Sequence, residues 1–531
     1  MTKFLSSASA MTIALVLAGC ATPVPQVLTS TDTPQGFAAP KAKDASIWPA
    51  AGWWTGFGSP EMTDFIASAQ KDNLSIAQAY AAVLQARAQQ GIARSTLLPT
   101  LTGDASAEQS GSRQPVGIIP PTTGTGTGTG GTTTTTTGTT AKHFVTENQF
   151  SLSLDATYQL DLFGKNQDTY RAASEALRSS RYAQEVVALT VTAQVAETYF
   201  DVLALRERVK IAQNNIDAAN RILTIVKAKV QNGVSSNLDL AQQQAQLAGQ
   251  EALIPALKEQ EREAINSLAV LLGRAPEGFD VKAQDMSVIA LPTVQPGLPS
   301  ELLRRRPDVA EAEAALSAAH GNVDAARAAF FPTIGLSGQG GVQSSALGSL
   351  FSGGFFYSLA AQAIQTIFDG GLLSSESDEA KAVQQEDIAS YRSTVINAFA
   401  DTERALGQVS SLAEQERLLT DEVANAAEAF RISELQYREG VADLLTVLQA
   451  QQTLFTAEDT LAQTKLARRQ ALVGLYQALG GGWSADDTKQ TTIPPSILPA
   501  TSPVPEGPAF PDLPAPTANA APAALTPAKK H

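Results

Sequence analysis

Residues 165–232 read KNQDTYRAASEALRSSRYAQEVVALTVTAQVAETYFDVLALRERVKIAQNNIDAANRILTIVKAKVQN, a stretch with neither glycine nor proline. Six apolar residues within it stand seven apart without a break: Val195, Val202, Val209, Ile216, Leu223 and Val230. A repeat of seven keeps one stripe against a neighbour only if helices coil left-handedly around each other. Val191, Leu205, Ala212, Ala219 and Val226 lie three or four residues off that stripe and widen it. At 1.5 Å per residue such a helix is roughly 100 Å long, so the chain builds something elongated. The same rod appears twice: Gly164 and Gly233 stand 69 positions apart, and so do Gly371 and Gly440.

Only 17% of residues are charged, the net charge is −14 and the pI is about 4.8. An acidic chain without basic stripes argues against nucleic acid as a partner. No run offers the roughly 18 to 20 consecutive apolar residues of a membrane-spanning helix, so insertion into a membrane is expected through strands or lipid. The single cysteine closes a secretory-signal layout: Lys3, an apolar run at 11–17 (MTIALVL), then Leu17-Ala18-Gly19-Cys20. The site resembles a lipobox, which implies diacylation of Cys20 after removal of residues 1–19. A lone thiol with no partner for a disulfide fits that reading.

Behind the anchor, residues 20–59 form a tether that ends in WWTGFGS. Two repeats follow, 60–273 and 301–483, joined by a connector at 274–300; the Pro/Ala/Thr-rich 484–531 reads as a disordered tail. The repeats align at several points. ARSTLLPTL at 93–101 matches ARAAFFPTI at 326–334, an offset of 233; Gly233-Val234 matches Gly440-Val441 and Leu272-Gly273 matches Leu479-Gly480, both at 207. The difference is the length of a Gly/Thr tract inside a loop expected over 111–146, which cannot bury apolar area.

Strands are the second signal. From 150 to 162 every even residue is apolar or small (Phe150, Leu152, Leu154, Ala156, Tyr158, Leu160, Leu162) and every odd one polar. Such alternation predicts a strand over about 147–162, long enough to cross a bilayer at a tilt. Its partner lies at about 99–110, and the second repeat supplies strands at about 331–343 and 354–367. Four strands cannot close a membrane barrel, and open edges in lipid are forbidden, so the chain must oligomerise. Two copies would give eight strands and a filled interior; three would give twelve and room for a channel.

These features occur with a set of ordered motifs: WWTGFGSPEM at 53–62, LDLFGK at 160–165, QNGVSSNLDLAQ at 231–242, ELLRRRPDVAEAEAAL at 301–316, AARAAFFPTI at 325–334 and YREGVADLLTVLQAQ at 437–451. Over roughly 48–483 the chain resembles the TolC/OprM family of outer-membrane efflux proteins, in its OprM/NodT-type lipoprotein branch. The resemblance implies a mainly α protein with a membrane β part: a homotrimeric twelve-strand barrel, four strands per chain, continued by a long α-helical coiled-coil barrel in the periplasm. It implies a passive outer-membrane outlet for small molecules such as drugs, served by a periplasmic adaptor and driven by an inner-membrane transporter. The alternative within the same architecture is an outlet for type I protein secretion; a structural periplasmic lipoprotein is the rival from another class.

No catalytic or metal-binding constellation stands out: the three histidines (His143, His320, His531) carry no H-E-x-x-H, and no G-x-S-x-G occurs. No cofactor is expected beyond the lipid on Cys20. Pro307 and Asp308 after the arginine triplet at 304–306 suit a helix start. Gly233 and Gly440 suit tight turns between helices, and the resemblance makes these tips face the adaptor. It also implies a periplasmic constriction at Tyr437 and Leu445. Asp239 matches an acidic position of the family, and is either a ring near a trimer axis or a solvated carboxylate. Gln449 stands where many members carry a carboxylate.

Overall fold

The computed structural model describes residues 48–115, 142–294 and 299–483. Cys20 and the signal, most of the tether, the Gly/Thr tract and the 484–531 tail lie outside them. The first half comprises α1 (Pro60–Asp72), α2 (Leu74–Ser95), β1 (Thr100–Pro115), β2 (Lys142–Leu160), α3 (Lys165–Gln231) and α4 (Asn237–Leu271). The second comprises α5 (Pro307–Ala328), β3 (Thr333–Ser344), β4 (Gly354–Ile364), α6 (Leu372–Glu439) and α7 (Leu444–Ala478). Matching helices have nearly equal lengths: 22 and 22 residues for α2 and α5, 67 and 68 for α3 and α6, 35 and 35 for α4 and α7.

The four strands form one antiparallel sheet in the order β1-β2-β3-β4. The helices are layered in the same way. Near the sheet, α2 packs on α3, α3 on α5 and α5 on α6; beyond it the sequence of neighbours is α4, α3, α7, α6. Close approach of α5 to α3 depends on Gly321, where an added Cβ would stand 3.0 to 3.2 Å from Ala172. The heptad stripe of α3 faces inward, with Val195 and Val202 fully buried and Ile216 and Leu223 nearly so.

The largest core joins α3 to the N-terminal motif and the connector. Trp53 stacks on Tyr476 (centroids 4.7 Å apart), and Phe57 sits against Phe200. Ser59 caps α1 by accepting from the Met62 N–H, and its hydroxyl lies 3.1 Å from the Tyr199 hydroxyl. Glu61 accepts from the Lys282 and Ala283 N–H groups, which ties the connector down. The arginine triplet is likewise structural at Arg306: α5 starts at Pro307, and the Arg306 guanidinium donates to Asp308 (2.6 Å) and the Ala478 carbonyl (3.1 Å).

Two expectations change. β1 and β2 extend into the stretch 111–146 expected as loop, pairing as far as Pro115 with Lys142, while β2 and β4 end at Leu160 and Ile364, short of 162 and 367. Residues 111–115 (GSRQP) and 142–146 (KHFVT) show no regular alternation of apolar and polar residues, so the sequence did not mark them as strand. Second, α3 contains an 18-residue window of mean hydropathy 1.3, apolar enough to cross a membrane by length and composition. Half of that window is buried against other helices, so its apolar content serves the helical core.

Candidate functional site

The sheet has two chemically distinct faces. Antiparallel pairing puts opposed residues on one side, so register alone assembles the faces. Leu101 pairs with Ala156, Ala156 with Gly338 and Gly338 with Leu359; Leu154 pairs with Gly340 and Gly340 with Tyr357; Leu152 pairs with Val342 and Val342 with Phe355. All lie on one apolar face, and it is bare: Leu154 is 60% exposed and Leu359 82%. The opposite face carries Thr102, Asp104, Ser151, Ser153, Asp155, Ser337 and Gln339. Ser153 is buried there, donating to Asp155 (2.9 Å) with Gln339 3.5 Å away.

Aromatic side chains mark both ends of the apolar face. Phe351, Phe355 and Tyr357 stand exposed toward the β3–β4 turn, and Phe163, Phe331 and Phe368 toward the helices. Phe163 and Phe331 stack at 4.8 Å, so two of the sequence motifs meet at the foot of the sheet. A sheet apolar on one side, wet on the other and bounded by aromatic residues suits a bilayer.

The second site is the pair of hairpin tips. Both rods end in the same backbone motif. The Val234 N–H donates to the Lys229 carbonyl and Gly233 to Val230; 207 residues on, Val441 donates to Gln436 and Gly440 to Tyr437. This closure needs a left-handed residue, supplied by Gly233 (φ 71°) and Gly440 (φ 78°). Each returning helix is capped by a side chain, reciprocally only in α4. Ser236 caps α4, with Asp239 bonding back to the Ser236 N–H, whereas Asp443 caps α7 by accepting from the Thr446 N–H and hydroxyl.

Each expected mouth residue has a definite place. Asp239 accepts from the Ser235 hydroxyl and the Ser236 N–H, and these bonds hold its carboxyl below the usual range. The Asp443 carboxyl is also lowered, chiefly by Thr446, with the Asp239 charge opposing. Leu445 is 54% exposed. Tyr437 is only 4% exposed, packed in a cluster with Val226, Phe430 and Leu444, and its hydroxyl has no partner. Within a single chain Tyr437 and Leu445 therefore do not share a surface.

Several tip residues escaped the sequence reading. Lys229 donates from Nζ to the Tyr437 carbonyl and lies 4.4 Å from the Tyr437 ring centroid, clamping the first hairpin to the second. Exposed Val234 and Leu238 on one tip correspond at the 207 offset to exposed Val441 and Leu445 on the other. That offset was available in the sequence and would have paired Leu238 with Leu445; the Lys229 contact had no local signal.

Comparison with known proteins agrees with this geometry. The outer membrane efflux protein family matches residues 65–274 and 298–481. The chain is 38% identical over 434 residues, 82% of its length and 88% of the relative's, to the pyoverdine export outer membrane protein OpmQ of Pseudomonas aeruginosa. It is 32% identical over 489 residues, 91% of its length and 96% of the relative's, to the probable efflux pump outer membrane protein TtgC of Pseudomonas putida. Among solved structures, the open state of the Neisseria gonorrhoeae MtrE outer membrane channel superposes with a TM-score of 0.73 at 29% identity, covering 85% of this chain and 96% of that one.

Proposed function

The chain belongs to the outer membrane efflux protein family and is an outer-membrane efflux channel, and on that premise we propose that three copies close into one passive outlet duct. The observation that carries this is the matching pair of open margins. β1 and β4 end the sheet, and α4 and α6 end the helical layer beneath it. Unpaired strand edges are untenable in lipid. Copies joined β4 to β1 remove every edge, and three supply twelve strands around a lumen lined by the polar face. Exposed Leu418, Ile432 and Leu435 on α6, and Leu253 on α4, offer apolar surface for the same contacts.

In this reading β1–β4 cross the outer membrane, the helices extend into the periplasm and Cys20 carries the lipid. The apolar side chains Val234, Leu238 and Val441 at the tips dock a periplasmic adaptor, through which an inner-membrane transporter supplies the driving force. The duct does no covalent chemistry. Opening separates the two hairpins of each chain, breaking the Lys229–Tyr437 clamp, a shift between two packings. Asp239 and Leu445 face the narrowed mouth once three chains converge. Small molecules are the exported class, and pyoverdine is a candidate because the OpmQ relative is named as a pyoverdine export protein.

The test is assembly and conductance of the purified protein in detergent. Native mass spectrometry should give three times the mass of the mature chain, which is 55.6 kDa less the removed residues 1–19, plus lipid, with heat-sensitive migration on gels and discrete conductance steps in planar bilayers. A folded monomer without conductance would refute the reading.

A further inference from the structure

A cleft distant from the sheet and the tips carries a separate inference. It lies between α3, α7 and the single helical turn Met286–Val288 of the connector, holds about 290 Å³, and is lined by Glu207, Lys210, Asn214, Asp285, Lys465 and Arg469 among others. Its two lysines are paired: Lys465 with Glu207 at 3.3 Å, Lys210 with Asp285 at 3.6 Å. Arg469 is not. It is 7% exposed, donates from Nη1 to the Lys465 carbonyl at 2.9 Å, and leaves a buried Nε without a partner. Among the described residues it makes no ion pair. Burial outweighs the more distant Glu416 and Glu207 charges and pulls its pKa down, with Arg468 adding to the effect.

The repeat shows that this state is special to the site. At the 207 offset Lys465 and Arg469 correspond to Lys258 and Arg262. Arg262 is 68% exposed at the side chain and ion-paired with Glu259. The same sequence position is thus solvated and paired in one half, and enclosed and unpaired in the other. A buried guanidinium without a counter-ion is unfavourable, and its planar fork of donors matches a carboxylate or phosphate.

We infer that this cleft binds an oxyanion group, carboxylate or phosphate, with Arg469 as its main partner and Lys210, Lys465 and Asn214 at its rim. Glu207 and Asp285 occupy the lysines and leave one net positive charge, so the site takes a single compact anionic group in preference to a polyphosphate. The inference goes beyond the outlet reading and does not depend on it.

Thermal unfolding of the full-length protein in detergent, followed by tryptophan fluorescence, tests it with sodium phosphate and sodium acetate against sodium chloride at matched ionic strength. Wild type should show a saturable rise of several degrees in at least one oxyanion series, and the two series separate phosphate from carboxylate preference. Arg469→Met should lose that rise while melting at or above wild type in chloride, because the uncompensated buried cation is gone. Lys210→Gln, on the exposed rim, should keep the rise but need severalfold more anion. The inference is overturned if wild type shows no saturable rise over chloride, or if Arg469→Met keeps it. It is equally overturned if Arg469→Met melts well below wild type in chloride, which would mark Arg469 as a structural residue. Should Arg469→Met not fold, an unchanged half-saturation in Lys210→Gln is the overturning result. None of these readouts involves conductance, so failure here leaves the outlet reading standing.

Discussion

Leu154 in the sheet is 60% exposed, whereas Tyr437 at the hairpin tips is 4% exposed. Both belong to layers with open margins, yet they obtain their order from opposite sources. Among the described residues nothing covers the apolar face of the sheet, which suits burial by lipid. At the tips Tyr437 is covered from within, by Lys229 of the other hairpin and by Val226, Phe430 and Leu444. Substitutions on the sheet should therefore act on insertion and assembly, and substitutions at the tips on opening.

The largest expected effect separates the two faces of the sheet. Leu154→Arg places a charge against hydrocarbon, at about 2–4 kcal/mol near the bilayer centre, and should abolish most trimer. Thr157→Arg, on the exposed part of the polar face, should leave trimer yield near wild type and change conductance. Thr157 is a cleaner control than Ser153, which is buried against Asp155. Equal loss of trimer from both substitutions, measured by native gels, would break the facing assignment.

Next comes a contrast in carboxylates. The sheet keeps Asp104 and Asp155 on its polar face, but the helical layer encloses Asp201, whose carboxyl burial pushes up to about 6 despite a 2.8 Å hydrogen bond from Gln470. Below the ordinary value of 3.8 the group is protonated whether folded or not and contributes nothing. Above about 6 it is ionised at a folding penalty of about 3 kcal/mol at most, reduced by solvent screening. Stability should thus fall as pH rises from about 4 to about 6. Asp201→Asn should raise the melting temperature at pH about 7.5 and leave it unchanged near pH 4. A variant no more stable at the higher pH would show that the carboxylate is solvated in the assembled protein.

Lys229→Met tests the internal clamp. It removes a charge-assisted hydrogen bond and a cation–π contact, together about 1–2 kcal/mol. The open fraction in single-channel recordings should rise roughly tenfold, with trimer yield unchanged. Wild-type opening in this variant would mean that the hairpins are held shut by contacts between chains.

The smallest effect is expected at the cap. Asp239→Asn should weaken the first turn of α4 by about 0.5–1 kcal/mol, seen as faster amide exchange over residues 236–240 at neutral pH. Since hydrogen bonds lower the Asp239 pKa, its contribution is present above the ordinary carboxylate value and fades as pH falls through the lowered one. The difference between variant and wild type should disappear under strong acid. If cation selectivity at low salt also drops, Asp239 faces the conduit as well as capping its helix.

What the sequence determined by itself was everything periodic and local. The sevenfold stripe from Val195 to Val230 marked α3 and the alternation from Phe150 to Leu162 marked β2, because each pattern is set by the geometry of one element, and the 207 offset marked the duplication. Gly233 and Gly440 were legible for the same reason: a helix that turns back on itself needs a left-handed residue at that point. The tertiary structure alone decided which residues lose water. Lys229 and Tyr437 stand 208 positions apart, and no spacing rule connects them. Arg262 and Arg469 hold equivalent places in their repeats, yet one is solvated and paired with Glu259 while the other is enclosed in the cleft between α7, α3 and the connector. Burial is a property of the neighbours that the fold brings together, and a repeated sequence does not receive the same neighbours twice.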